Sequence, residues 1–404
     1  MKDLLYNWNK EHKIKKKIFL CDETLRDGLQ DISVLNPSLN EKLEYIDKIE
    51  KLGIERIDLG FPSANPNNYN DTLEMFKHII SSKYKIKAYC AARTLLSDII
   101  PIVEIQDKVG SQLGVAAFMG CSPIRCKVEN WSNDFLIDQS SKAIEYSIKN
   151  GLDVAFVGED LTRTRPENIQ SIFLNAKNLG CNRFVLADTV GTLTPVGVKN
   201  FITSIKNIPN FYDENTILEW HGHNDRGFGL INAIEALSCG CDGAHGTLLG
   251  IGERTGNTAL ELLVLNLFLD NKFEGEIKFL VDYVKNNIEK FGLSISDNYP
   301  LFGNNAFLTS SGVHASAILK SLEMDSSIQD YIYSSVPASK FGLEQNIKIN
   351  NMSGKSNVSF WIKRNNLIEN DNFYNEVLTY ANKNKKYLSD EILFDLYKKA
   401  IADE

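Results

Sequence analysis

Short apolar runs rich in β-branched residues alternate along the first two thirds of the chain with longer stretches in which apolar positions recur every three or four residues. The runs are IFLCDE (18–23), IERIDLG (54–60), KIKAYC (85–90), QLGVAAFM (112–119), DVAFVG (153–158), RFVLAD (183–188), ILEWHGH (217–223) and GAHGTL (243–248). These are eight candidate strands spaced by about one strand–helix unit each. The segments 40–53 and 138–151 show the helical period and end in Gly53 and Gly151, residues suited to close a helix. Eight such units predict a (β/α)8 TIM barrel. An open doubly wound sheet is disfavoured, because no Gly-x-Gly-x-x-Gly follows the first strand. The barrel domain is placed at 1–275. Residues 276–404 are read as smaller, mostly helical C-terminal subdomains: amphipathic helices at 281–292, 310–323 and 389–404, and a Ser353-Gly354-Lys355 turn before another helix within 346–363.

Composition narrows the class. A net charge of −8 with 43% hydrophobic and 24% charged residues is that of a globular protein and argues against general nucleic-acid binding. The one basic cluster, residues 12–17, is read as a solvated arm before the first strand. The seven cysteines are scattered and form no Cys-x-x-Cys pair, so neither a disulfide framework nor a zinc ribbon is supported. No signal-like h-region opens the chain and no 18-residue apolar run occurs, so no membrane role is expected and a reducing cytoplasm is the expected setting.

Chemistry gathers at the strand ends. Residues i and i+2 of a strand face the same way, so His221 and His223 present two imidazoles side by side. With a carboxylate from elsewhere, such a pair is a common divalent-metal ligand set. Arg26 and Asp27 follow the first strand, Asp58 lies in the second, and Arg93 follows the third. Ser122 and Arg125 follow the fourth, Glu159 and Arg163 the fifth, Asp188 and Thr189 the sixth, and Glu253 and Asn257 the eighth. Any one could be a cap or an ion pair, but barrel enzymes build their sites at this end of the strands.

The segment Asp22-Glu23-Thr24-Leu25-Arg26-Asp27-Gly28-Leu29-Gln30 resembles the D-x-T-L-R-D-G-x-Q signature of the metal-dependent DRE-TIM barrel lyases and synthases. These include isopropylmalate, homocitrate and citramalate synthases and 3-hydroxy-3-methylglutaryl-CoA lyase. Ile57–Pro62, Ala187–Gly191, His221–Asp225 and Gly250–Asn257 resemble further blocks of that family, in order. Ser311-Gly312-Val313-His314, followed by Lys320, is similar to a block found after the barrel in the synthases. The lyase carries a cysteine in its last loop, where this chain has Gly252-Glu253-Arg254.

The resemblance implies an acyltransferase that condenses acetyl-CoA with a 2-oxo acid in a Claisen-type reaction and hydrolyses the thioester, as in amino-acid biosynthesis. A carbon–carbon lyase or aldolase is the alternative reading, and a non-catalytic binding relative a third. The implied metal ligands for Zn²⁺, Mn²⁺ or Mg²⁺ are Asp27, His221 and His223, with Asn257 as a fourth. Arg26 and Glu159 are implied in catalysis, with His314 and Tyr333 as the acid–base pair that enolises acetyl-CoA, reaching a neighbouring subunit in a homodimer. Gln30, Asp58, Arg93, Ser122, Arg125 and Thr189 are implied at the substrate, Thr189 at its 1-carboxylate. From its length, the chain is not expected to carry the amino-acid-sensing domain of the longer synthases.

Three positions depart from the family pattern: Asp58 stands for Glu, Arg125 for His, and Arg226 for Leu. Two added guanidinium groups point to a second carboxylate on the oxo acid, favouring oxaloacetate or 2-oxoglutarate over 2-oxoisovalerate. The proline after Tyr333 is shifted by one, which weakens that match.

Overall fold

A computed structural model describes residues 4–9, 14–15, 17–384 and 386–402. The chain divides into two compact units, one of residues 9–294 and one of residues 1–8 with 295–404. The first is a closed barrel of eight parallel strands in sequence order: β1 (Phe19–Asp22), β2 (Arg56–Asp58), β3 (Lys87–Arg93), β4 (Gly114–Gly120), β5 (Asp153–Glu159), β6 (Arg183–Asp188), β7 (Ile217–Gly222) and β8 (Gly243–Gly246). All eight candidate runs are therefore strands of one barrel. Closure is made by β8 on β1, with Cys21 opposite His245 and Asp22 opposite Gly246.

Local chemistry explains the elements. The helix Leu39–Leu52 starts at Ser38, which forms a reciprocal capping box with Glu41, and it ends at Gly53 in the left-handed region. Its Tyr45, Ile46, Ile49 and Leu52 form the buried stripe. The helix read at 138–151 begins earlier, at Asn133, because Ser132 accepts from the backbone N–H of Phe135 and caps it there.

The barrel unit continues past the boundary expected at 275. The helix Leu280–Ile288 belongs to it, since the hydroxyls of Tyr45 and Tyr283 both reach the buried carboxylate of Asp22, at 2.6 and 3.0 Å. Burial pushes the Asp22 carboxyl up to about 6, while donors from Tyr45, Thr24 and Tyr283 restrain the rise.

The second unit holds the helices Gly312–Ser321, Lys355–Arg364, Asp371–Lys383 and Asp390–Ala402 with a two-stranded parallel sheet. Val358, Trp361, Phe373, Val377, Leu388, Leu393 and Tyr397 lie in one core cluster of this unit. Of the basic cluster at 12–17, His12, Lys13 and Lys16 lie outside the described residues, whereas Ile14 is buried and Lys15 pairs with Asp242 at 2.6 Å. Among the described residues no helix is long and apolar enough to cross a membrane.

Candidate active site

Alternation along the strands builds the site. Ala91 of β3, Ala116 and Phe118 of β4, Val157 and Glu159 of β5, Val185 and Ala187 of β6 and His221 of β7 all face one cavity of about 310 Å³. Arg26, Asp27, Gln30, Arg125, Thr189, His223 and Glu253 complete it at the strand ends. No cysteine is among the residues lining it.

Asp27, His221 and His223 offer ligand atoms within 4.8 Å of one another, all buried. The Nε2 atoms of His221 and His223 stand 3.6 and 3.8 Å from Asp27 Oδ2. Asn257 Nδ2 donates to Asp27 Oδ1 at 3.0 Å, and an antiparallel backbone bridge sets Asn257 against His223. Asn257 Oδ1 is buried without a hydrogen-bond partner among the described residues. Buried polar atoms are rarely left unpaired, so this oxygen together with the Asp27 carboxylate and the two Nε2 atoms facing it forms a donor set that a divalent cation fits. Gly252 makes the approach possible: at φ +149 it lies where a Cβ would come within 2.2 Å of Asn257 Nδ2.

The protonation states suit a metal. Burial and the neighbouring His221 push His223 down to about 4, so its imidazole is neutral near pH 7. Burial alone would raise Asp27, but Arg26, His221 and His223 together outweigh it and hold the carboxyl below its ordinary value.

Arg26 joins three carboxylates. Its Nη1 donates to Asp27 at 2.9 Å, its Nε to Asp58 at 2.8 Å, and its Nη2 pairs with Glu23 at 3.0 Å. Glu159 is not among these three partners. A guanidinium has five N–H bonds, and these three contacts leave two for a ligand. Asp58 is fully buried beside Arg26 and is absent from the cavity wall, so it acts on the guanidinium instead of on substrate. Burial pushes Asp58 up to about 7 against the pull of Arg26.

Other expected substrate residues divide. Thr189 Oγ1 accepts from the Asp160 N–H at 2.7 Å, so its own hydroxyl proton is free to be donated. Arg125 lines the cavity while pairing with Glu129 at 3.2 Å. Burial raises Glu159, with Arg125 opposing. Arg93 does not reach the cavity, because Asp98 holds it through two bonds of 2.6 and 3.0 Å. Ser122 is buried as the cap of the helix Pro123–Glu129 and does not line the cavity. Arg226 is exposed, donates to the Thr192 carbonyl at 2.6 Å, and lies outside the lining. His314 and Tyr333 belong to the second unit, where their exposed rings stack at 3.9 Å. Tyr333 adopts a left-handed φ of +57, a conformation costly for a bulky residue.

Sequence reading missed the groups beneath the candidate metal ligands. Glu23 Oε2 lies 2.6 Å from His221 Nδ1. His245 bridges Glu23 and Glu219, at 3.0 Å from each, and Glu219 meets Arg183 at 2.9 Å. The signal available was parity: His245 falls on the inward face of β8, as His221 does on β7.

Burial alone would lower His245, but Glu23 and Glu219 push it up to about 9. A histidine raised above its ordinary value near 6.5 contributes stability that is full below pH 6.5 and fades as pH rises through about 9. Unfolding by urea in EDTA should show wild type more stable than His245→Gln by on the order of 3 kcal/mol near pH 6.5, the gap shrinking by pH 9.5. A gap that widened with pH would contradict a charged, buried His245.

The family model HMGL-like matches residues 17–283. Over 394 residues the chain is 28% identical to "Homocitrate synthase AksA" of Methanocaldococcus jannaschii, covering 96% of this chain and 91% of that protein. It is 29% identical over 373 residues to a "Putative 2-isopropylmalate synthase" of Buchnera aphidicola subsp. Baizongia pistaciae, covering 91% of each. Among solved structures, hydroxymethylglutaryl-CoA lyase from Pseudomonas aeruginosa aligns with a TM-score of 0.56 at 19% identity, covering 69% of this chain and 94% of that one. The last likeness speaks to the barrel fold alone.

Proposed function

The chain belongs to the HMGL-like family, and from that premise we propose that it condenses acetyl-CoA with a 2-oxo acid and hydrolyses the thioester to release CoA. Its similarity to homocitrate and isopropylmalate synthases over nearly its whole length supports a synthase. The observation that carries the reading is the buried Asp27–His221–His223–Asn257 set, with the unpaired acceptor Oδ1 of Asn257, beside an arginine that has donors to spare.

A divalent ion (Zn²⁺, Mn²⁺ or Mg²⁺) held by Asp27, His221, His223 and Asn257 would polarise the keto group as a Lewis acid. Arg26 directs its two remaining N–H bonds at the oxygen where charge develops. Thr189 donates to the 1-carboxylate, and Glu159 stands ready at the cavity wall to handle a proton. Ala116, Phe118 and Val157 keep the reacting carbon away from bulk water. A neighbouring cavity of about 500 Å³, which shares Arg26, Gln30, Ala91 and Phe118, offers room for the thioester. His314, stacked on Tyr333, takes the methyl proton of acetyl-CoA. The working assembly is a homodimer in the cytoplasm, in which this pair serves the barrel of the other copy.

Arg125 is the guanidinium left for a distal carboxylate once Arg226 and Arg93 are excluded, so oxaloacetate or 2-oxoglutarate remains the favoured substrate class. Thiol release should be metal-dependent and fastest with one of these when they are compared with pyruvate and 2-oxoisovalerate. Arg125→Ala should raise KM for that dicarboxylic acid by about 10–100-fold, the worth of a charge-assisted pair, and the KM for pyruvate by less. Best activity with 2-oxoisovalerate would remove the specificity argument. Cleavage of a hydroxyacyl-CoA with no condensation would favour the lyase reading, against which stands a cavity lined by no cysteine.

A further inference from the structure

The two imidazoles of the site are held in different ways. His223 Nδ1 has no partner among the described residues, whereas His221 Nδ1 meets Glu23 Oε2 at 2.6 Å. The other oxygen of Glu23 is saturated: Oε1 takes His245 Nδ1 at 3.0 Å, Tyr89 Oη at 3.2 Å and Arg26 Nη2 at 3.0 Å. Glu23 cannot rotate toward His223 without giving up contacts on both oxygens. His245 is spent in turn, with Nε2 on Glu219 Oε2 at 3.0 Å and Glu219 anchored by Arg183 at 2.9 Å. With both ring nitrogens engaged, His245 has no lone pair to offer an ion, although Glu23, His221 and His245 lie close enough to form a ligand cluster. Position 23 is the open slot of the D-x-T-L-R-D-G-x-Q signature, so the signature itself does not specify Glu23.

We propose that Glu23 and His245 are positioning residues for the metal site: Glu23 fixes His221 as the Nδ1–H tautomer with Nε2 free to ligate, and His245, clamped to Glu219, holds Glu23 in that pose. The inference rests on reading Asp27, His221 and His223 as the metal ligands. An imidazole whose far nitrogen donates to a carboxylate is oriented before the ion arrives and is the more basic ligand for it. The barrel register makes the arrangement possible, since pairing of Cys21 with His245 puts the side chain of β8 beside the end of β1. His221 is then the pre-set ligand and His223 the one that adjusts.

The test is calorimetric titration of EDTA-stripped protein with Mn²⁺ and with Zn²⁺ for wild type, Glu23→Gln, His245→Gln and the double variant, alongside thermal melts in EDTA. Glu23→Gln should weaken metal binding by about 10–100-fold, as loss of a carboxylate behind a ligating histidine does elsewhere. His245→Gln should weaken it by less, and the double variant should be no worse than Glu23→Gln, because His245 acts through Glu23. Unchanged affinity in folded Glu23→Gln, with only the melting temperature lowered, would overturn the proposal by reducing the cluster to a structural role. An additive double variant would overturn the part given to His245. If Glu23→Gln does not fold, His245→Gln decides: weaker binding supports the relay and wild-type binding refutes it. Failure of the wild type itself to bind either ion would instead overturn the metal site on which this rests.

Discussion

Asp27→Ala should lose its metal and slow thiol release by about 10³-fold or more, because Lewis-acid polarisation is worth several kcal/mol and each 1.4 kcal/mol is about tenfold in rate. The expectation follows from the shared position of one carboxylate. Asp27 Oδ2 faces both His221 Nε2 and His223 Nε2 at under 4 Å, while Oδ1 holds the amide of Asn257. Alanine therefore removes one ligand and frees a second to wander. Asp27→Asn separates charge from architecture. Its amide oxygen can still accept from Arg26 or Asn257, so the fold should survive, yet the ion loses its one anionic ligand. Elemental analysis of the purified variants and thiol release in the same buffer check both points. A variant that kept one ion per chain and wild-type turnover would rule out this site as the metal centre.

Arg26→Ala is expected to damage stability and rate together. Three buried carboxylates, those of Glu23, Asp27 and Asp58, contact this one guanidinium at 2.8–3.0 Å. Breaking a buried ion pair from one side costs about 3–5 kcal/mol, because the remaining charge stays desolvated. Loss of a donor to a developing oxyanion costs about 10²–10³ in kcat. Adding Asp58→Asn to Arg26→Ala should recover part of the stability, since Asp58 is fully buried and already pushed up to about 7, and none of the rate. Arg26→Lys keeps the charge but cannot span three partners as a planar fork does, so it should fall between the two in stability and remain slow. Urea midpoints and kcat measured on the same preparations check this; a stable, fast Arg26→Ala would remove Arg26 from both roles.

The barrel was legible because its strands are buried on both faces and so read as continuous apolar runs: 217–223 became Ile217–Gly222 and 153–158 became Asp153–Glu159. His221 and His223 were legible as a pair from the strand period, and strand ends bring Asp27 and Asn257 to the same mouth, whereas their grouping as one ligand set came from the family resemblance. What escaped were contacts that exist only across the closed barrel. Glu23 and His245 are more than 200 residues apart, and no local pattern joins them until β8 pairs with β1. Arg93 and Arg226 were overread for a related reason. A guanidinium near a strand end looks functional in sequence, but its long side chain can turn back to a local acceptor, here Asp98 and the Thr192 carbonyl. Asp58, expected on the pocket wall, lies buried against Arg26 instead, contacting that guanidinium directly.

The charges inside the barrel also act on its history as a chain. Glu23 directly follows the first strand to be synthesised and His245 lies in the last, and Glu219 and Arg183 enter between them. Until β8 seats on β1, two carboxylates destined for the interior lack the imidazolium that joins them. A collapsed but open intermediate thus cannot bury its axis without leaving Glu23 short of a partner, a heavy penalty in a medium of low dielectric. Closure is rewarded all at once, so the ring of strands is driven to finish as a whole, and the proposed ion site at its mouth is completed with the final pairing.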